Sequence, residues 1–447
     1  MPLRSQELLY YFTRGNDNYM LSQTQAACLD AVVHDPYALR STMIIAGLHY
    51  SWNTGRLQSY EPTFLFHKLE SIRMVNQWVE KQGTVSAAVA LRQVVTLGFA
   101  ECCLGNLPAA EIHMNGLMAI LDMVDPNGLG RLGADEVDSE LTDRYFILSQ
   151  NFLYGHKSRF DRKQLRTASP RPSGSHETLL DSRVSGTHSR MHKSHLNEVE
   201  NRLKSLAKFP HFLAPPPRGR KPEPIDAVSI IQILREMTSY VDSRRSGWDH
   251  PEEFFAGGSG GKLFIAIVDL HVLSFSGKAE RTPTKDSPTT PNFMSSWTGI
   301  CTAMGLYLHS VLGTWNAGRP MSGRMLCRII QVLKRHLIRD RQRLGGKGGL
   351  DRDFWFWRTF VGAMALARQR SATIASTSSF EINGGINHLE VLEEWFLHSI
   401  KKWSRTASIK TWGEARAVLA KVVWPENLSS EPLAMSLWHR AMQVSVV

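Results

Sequence analysis

The sequence predicts an all-α protein: a multi-helix domain formed by N- and C-terminal helical blocks, with a long disordered basic linker between them. Three observations predict it. Apolar residues recur at helical spacing through both outer parts of the chain. Proline, capping residues and glycine stand at the ends of those runs. In the first block no strand-like alternation or hairpin turn signal competes with them. The expected division is 1–156, an N-terminal helical block; 157–224, a disordered basic linker; and 225–447, a C-terminal helical block packing on the first.

In the first block, Asp35-Pro36 starts a helix, because proline suits a first helical turn. Leu39, Met43, Ile44 and Leu48 follow at helical spacing up to His49-Tyr50. Pro62 begins a second helix, with Leu65, Leu69, Ile72, Val75 and Val79 on one stripe and Gly83 past its end. Thr84 can cap a third helix, which Gly105 stops. Pro108 opens a fourth, with Ala110, His113, Leu117, Ile120 and Val124 on its inner face and Gly128 closing it.

From Lys157 to Lys221 the composition changes to Ser, Arg, His and Pro, which cannot bury enough apolar surface to offset the entropy of ordering. This segment carries 15 Lys and Arg against 5 acids, almost the whole of the chain's net charge of +11. The flanking parts are therefore close to neutral, which is not the pattern of a uniformly basic nucleic-acid-binding surface. A short helix is expected near Leu196–Leu206. Helical patterning resumes at Ile225–Tyr240 and Lys262–Leu273, and a second loop spans Ser276–Asn292. Further helices are expected at Trp297–Leu312, Met325–Leu344, Phe354–Arg368, Leu389–Trp403 and Glu414–Val423. Thr411 and Glu414 of the last have the spacing of a capping box.

The chain's 447 residues are 43% hydrophobic and 21% charged, a globular balance. No stretch approaches the ~18 uncharged apolar residues of a membrane span, and no apolar signal segment follows Met1, so an intracellular protein is expected. The five cysteines, Cys28, Cys102, Cys103, Cys301 and Cys327, form no C-x-x-C pair. They read as small buried hydrophobes rather than as disulfides or zinc ligands.

Several motifs fail on inspection. In Ala256-Gly-Gly-Ser-Gly-Gly-Lys262 a phosphate-binding loop would need glycine at Ala256 and Ser or Thr at Leu263. Gly257, Ser259 and Gly261 match G-x-S-x-G, yet a nucleophile elbow needs a buried strand where Trp248-Asp249-His250-Pro251 stands; a flexible interhelical loop is the favoured reading. His188, His192 and His195 could converge on a metal if helical, but Ser, Arg and Lys surround them and a solvated linker is favoured. The helix Arg324–Leu344 is basic and amphipathic, with Met325, Ile329, Ile330, Leu333 and Leu337 on its apolar side, and reads as an ordinary domain helix. Phe354-Trp355-Phe356-Trp357 reads as a core cluster. No catalytic, cofactor-binding or metal-ligating residue is assigned, and no cofactor is expected.

Two blocks resemble the fungal-specific transcription factor domain, the regulatory region that usually follows a zinc-cluster DNA-binding module; some relatives are labelled tachykinin family proteins. The first block, about 8–133, includes Asp35-Pro36, Ala46-Gly47-Leu48-His49-Tyr50, His67–Asn76 and Ala110–Leu117. The second, about 354–440, includes Phe354–Trp357, Val361-Gly362-Ala363, Trp395-Phe396, Val422-Val423-Trp424 and Leu437-Trp438. Together they cover about half the chain. The resemblance implies a nuclear regulator of transcription acting through protein–protein or effector contacts. Its partners would be the transcription machinery or a partner DNA-binding factor, with a small-molecule effector as a further class, and no membrane. The family's zinc ligands do not carry over, because no residues match them, so sequence-specific DNA binding by this chain alone is not implied. A helical-scaffold enzyme and a degenerate interaction scaffold are the alternative readings. Arg218-Gly219-Arg220-Lys221 is the densest basic patch and the candidate import signal.

Overall fold

The computed structural model describes residues 4–14, 30–55, 58, 60–81, 86–125, 136–167, 193–243, 259–276, 293–315, 321–343, 350–375 and 385–444. In chain order the elements are α1 (Ser5–Arg14), α2 (Pro36–Thr54), α3 (Glu61–Lys81), α4 (Ala87–Leu104), α5 (Leu107–Val124), α6 (Glu136–Thr167) and α7 (Lys193–Leu213). There follow β1 (Ile225–Asp226), α8 (Val228–Ser243), α9 (Ser259–Phe275), β2 (Met294–Ser295) and α10 (Trp297–Leu306). A π-helical turn (Tyr307–Val311), α11 (Gly323–Arg343), α12 (Leu350–Ala375), α13 (Gly385–Ala407), α14 (Trp412–Val422) and α15 (Glu431–Gln443) complete the chain. The protein is all-α.

The chain divides into two compact units. Unit 1 holds residues 1–126, 131–223 and 250–283; unit 2 holds 127–130, 224–249 and 284–447. α9, which the sequence groups with the C-terminal block, thus belongs to unit 1.

Unit 1 is built around α4, which packs against α2, α3, α5 and α6. By composition α4 is long and apolar enough to cross a membrane, with a mean hydropathy of 1.5; Arg92 and Glu101 interrupt it, so it holds no long uncharged run. Here 78% of it is buried among its neighbours. The ends of the helices follow from local chemistry. Asp35 accepts from the amides of Tyr37 (2.8 Å) and Ala38 (3.1 Å), Pro36 fills the first turn, and Gly55 closes α2 at φ 74°. Asn106 caps α5, and Gly105 at φ 80° separates it from α4. Ser86 precedes α4; the expected cap Thr84 lies outside the described residues, as do Gly83 and Gly128.

α3 departs from the usual rule that an apolar stripe faces the core. Its buried face is Thr63, Phe64, His67, Ser71, Met74 and Trp78. Leu65, Leu69 and Val79 face outward at 44%, 60% and 41% exposure, with Ile72 and Val75 half-buried beside them. Two polar members of the buried face reach partners on other helices: Ser71 donates to Gln93 Oε1 (2.9 Å), and His67 Nε2 lies 3.0 Å from Ser5 Oγ, while His67 Nδ1 has no partner among the described residues. Gly47 makes the approach of α2 to α3 close, since a Cβ there would meet Phe64 Cδ2 at 2.9 Å.

The end of the expected linker is helical. α7 runs on from the predicted short helix to Leu213, and Leu206, Phe209, Phe212 and Leu213 are buried against α2 and α9. After Pro215-Pro216-Pro217 the chain turns at Arg218-Gly219, with Gly219 at φ 73° and Arg220 N–H bonded to Pro217 O (3.1 Å). Residues 168–192 lie outside the described residues.

Unit 2 is built around α12, which packs against α10, α11, α13, α14, α15 and the π-helical turn. Phe354, Trp355, Phe356 and Trp357 are all buried, and Phe356 stacks on Trp403 at 3.6 Å between centroids. Gly362 lets α13 and α11 close on α12: a Cβ there would lie 2.6 Å from Phe396 and 2.9 Å from Leu333. Thr411 and Glu414 form the expected capping box. Two features are unforeseen in the sequence. β1 and β2 pair antiparallel, Ile225 with Ser295 and Asp226 with Met294, pinning the start of α8 to the start of α10. α15 begins at Glu431-Pro432 and buries Ala434, Leu437, Trp438 and Ala441 at helical spacing.

α11 buries Met325, Ile329, Ile330, Leu333 and Leu337, as an ordinary domain helix does. Its basic residues are dispersed. Arg328 is buried, Lys334 lies over the Trp395 ring (5.3 Å), and Arg341 lies over Trp355 (5.9 Å).

Candidate functional site

Two polar centres and one surface stand out. The first centre lies in unit 1 between α6 and α9. Arg144, 1% exposed, donates through Nε to Glu140 Oε1 (3.0 Å) one turn back. Its Nη1 reaches Ser274 Oγ (2.7 Å) and His271 Nδ1 (3.1 Å), and its guanidinium covers the Phe275 ring at 4.8 Å. Burial, reinforced by the Arg144 charge, holds the His271 pKa well below its ordinary value. The imidazole is therefore neutral at neutral pH, and its Nδ1 lone pair accepts from Arg144.

The second centre lies in unit 2, where β2, α10, α11 and α12 meet. Arg358, also 1% exposed, donates through Nη1 to Asp340 Oδ2 (2.5 Å) and Ser295 Oγ (2.7 Å), and covers the Phe354 ring at 4.7 Å. Beside it Ser296, part-exposed at the head of α10, lies with its hydroxyl 2.8 Å from Nδ1 of buried His336 and accepts from Gly299 N–H (3.1 Å). Gly299 is required here: a Cβ would meet Ser296 Oγ at 2.8 Å.

Sequence reasoning misses both centres. Arginine reads as a surface residue, and the partners of Arg144 lie 127 and 130 positions away, that of Arg358 on β2 63 away. The i,i+4 spacing of Glu140 and Arg144 is the local signal that could have pointed to the first.

The surface is the outer stripe of α3. Four exposed large hydrophobics, Leu65, Phe66, Leu69 and Val79, gather on this one helix, and Ile112 on α5 is 68% exposed. Lys68 on the same helix turns back to pair with buried Glu101 of α4. A narrow apolar crevice between α4, α5 and α7, lined by Val95, Phe99, Cys102, His113 and Phe209 among others, has room for about one water molecule.

The basic helix supplies His336 and Asp340 and the aromatic cluster supplies Phe354 to the second centre, whereas the histidine and glycine motifs reach none of these places. His188 and His192 lie outside the described residues, as does the side chain of His195. Ser259, Gly260 and Gly261 form the first turn of α9 rather than a loop, and Gly257 lies outside the described residues. Cys102 and Cys301 are buried, Cys103 and Cys327 half-buried; Cys28 is outside the described residues. Burial pushes the Cys102 thiol up to about 12. Among the described residues no three His, Cys, Asp or Glu side chains are grouped to hold a metal ion. No family model, curated protein or solved structure matches the chain.

Proposed function

We propose that the protein is a transcriptional regulator-like protein that works through contacts of a helical regulatory domain of the fungal transcription factor type. The observation that carries the reading is the outer stripe of α3. A contiguous exposed apolar face on a folded domain marks an interaction surface. The stripe lies within His67–Asn76 and its flanks, inside the first block of the family resemblance. The partners would be the transcription machinery or a partner DNA-binding factor, with an effector as a further class. The exposed turn Arg218-Gly219-Arg220-Lys221 supports nuclear import.

Tethered to a promoter through a foreign DNA-binding module, the chain should alter reporter output, and Leu69→Asp should abolish the change. Alone it should bind duplex DNA weakly, without sequence preference and with a steep loss as salt rises, because the lysines and arginines of the basic linker supply only phosphate contacts. A silent reporter, with the fusion nuclear and expressed, argues against the regulatory role.

One observation favours a second reading, a helical-scaffold enzyme: the Ser296–His336 contact has the separation of a nucleophile and its base. A fluorophosphonate probe tests it. Labelling at Ser296 that disappears in Ser296→Ala and falls in His336→Gln supports that reading, and an unlabelled chain removes it.

A further inference from the structure

We propose that the outer stripe of α3 binds the same stripe of a second copy, the two helices lying antiparallel about a two-fold axis at Ile72. This rests on reading α3 as a contact surface, and not on the transcriptional role. In an isologous interface residue i meets j and j meets i, so facing positions on antiparallel helices have numbers that add to a constant. The stripe satisfies this over its whole length. Leu65 faces Val79, Leu69 faces Val75, and Ile72 faces itself, with every pair adding to 144.

The pairing is complementary in volume and sets no like charges together. Each leucine meets a valine, whereas a parallel pairing would set leucine on leucine at one end and valine on valine at the other. None of the charged residues of α3, from Glu61 to Lys81, is set against a like charge in this register, and Lys68 flanks Asn76. Leu65, Ile72 and Val79 are also seven apart, the repeat that keeps a seam on one side of a helix.

The stripe spans about 21 Å, at ~1.5 Å per residue. A strip of that length, one helix wide, falls short of the ~800 Å² per partner of a standard stable interface. The dimer is therefore of the weak, transient class. Exposed Ile112 of α5 adds to the apolar area of the same unit.

Sedimentation equilibrium of the full chain across a hundredfold concentration range tests the proposal, with Leu69→Asp as the variant. The unsubstituted chain should shift from monomer to dimer, and Leu69→Asp should weaken that by at least ~30-fold, because it sets a carboxylate into the apolar seam twice. Because Leu69 is exposed, the variant should keep its far-ultraviolet dichroism. Cysteine scanning fixes the register against the unsubstituted chain as baseline. Ile72→Cys should cross-link with itself on mild oxidation. Leu65→Cys should cross-link only when mixed with Val79→Cys. A chain monomeric throughout, or Leu65→Cys linking to itself, overturns the proposal. If the chain is monomeric while Leu69→Asp still silences the tethered reporter, the contact surface stands and the dimer falls. If it dimerises and Leu69→Asp leaves the reporter active, the reverse holds.

Discussion

Arg144 in unit 1 and Arg358 in unit 2 are each only 1% exposed, and the two are held differently. Arg144 spreads its donors: Nε to a carboxylate, Nη1 to a neutral histidine and a serine. Arg358 concentrates carboxylate and hydroxyl on a single nitrogen, and its buried Nε has no partner among the described residues. Loss of an acid therefore leaves different remainders. Arg144 without Glu140 keeps two neutral acceptors, whereas Arg358 without Asp340 keeps Ser295 as its described hydrogen-bond acceptor. The same cation over the same kind of ring is redundant in one unit and dependent on one group in the other.

The largest effect that tests this difference is Asp340→Ala, expected to destabilise unit 2 by about 3–5 kcal/mol because it strands a buried charge. Glu140→Ala should cost unit 1 less. Tryptophan fluorescence during urea unfolding separates them, since nine described tryptophans lie in unit 2 and only Trp52 and Trp78 in unit 1. Equal losses would remove the contrast.

Acidification is the next test. Burial pushes the pKa values of His49, His67 and His211 to about 4 and that of His271 well below its ordinary value; all four belong to unit 1. Their folded values lie below the unfolded ~6.5, so the unfolded chain binds more protons. Their contribution is whole above pH ~6.5 and is lost progressively towards pH 4. Hydrogen exchange should show protection of α9 and α2 falling in that window, and a flat profile would count against the neutral His271 acceptor. Smaller effects check the packing beneath the comparison. Gly362→Ala should cost unit 2 about 1–3 kcal/mol by forcing Phe396 and Leu333 aside. Thr411→Ala should cost about 1 kcal/mol through the lost cap, with Glu414→Gln milder. Both can be read as shifts in the fluorescence-detected urea midpoint.

Helix ends are the most legible part of the sequence, because caps are local: Asp35-Pro36, Gly105, Asn106-Leu107-Pro108 and Thr411-x-x-Glu414 act within one turn. The face a helix buries is not local, and α3 shows why. Its hydrophobic stripe looks like the core side until Ser5 and Gln93 arrive from other helices to bond His67 Nε2 and Ser71. The arginine centres are illegible for the same reason. α15 escapes a reading that stops at Trp424-Pro425, although Glu431-Pro432 marks its start and its buried residues keep helical spacing.

Arg144 also sets a clock on synthesis. At ~5–20 residues per second, the 127 residues that separate it from His271 take the ribosome roughly 6–25 s. Within that interval the α8 segment of unit 2 is made while unit 1 still lacks α9. The half-built unit carries an ion pair whose neutral acceptors do not yet exist, and on α7 the rings of Phe209 and Phe212, which later pack against Phe264 and His271 of α9. A translational pause just after residue 243 would lengthen that exposure, and a faster passage through 244–275 would shorten it.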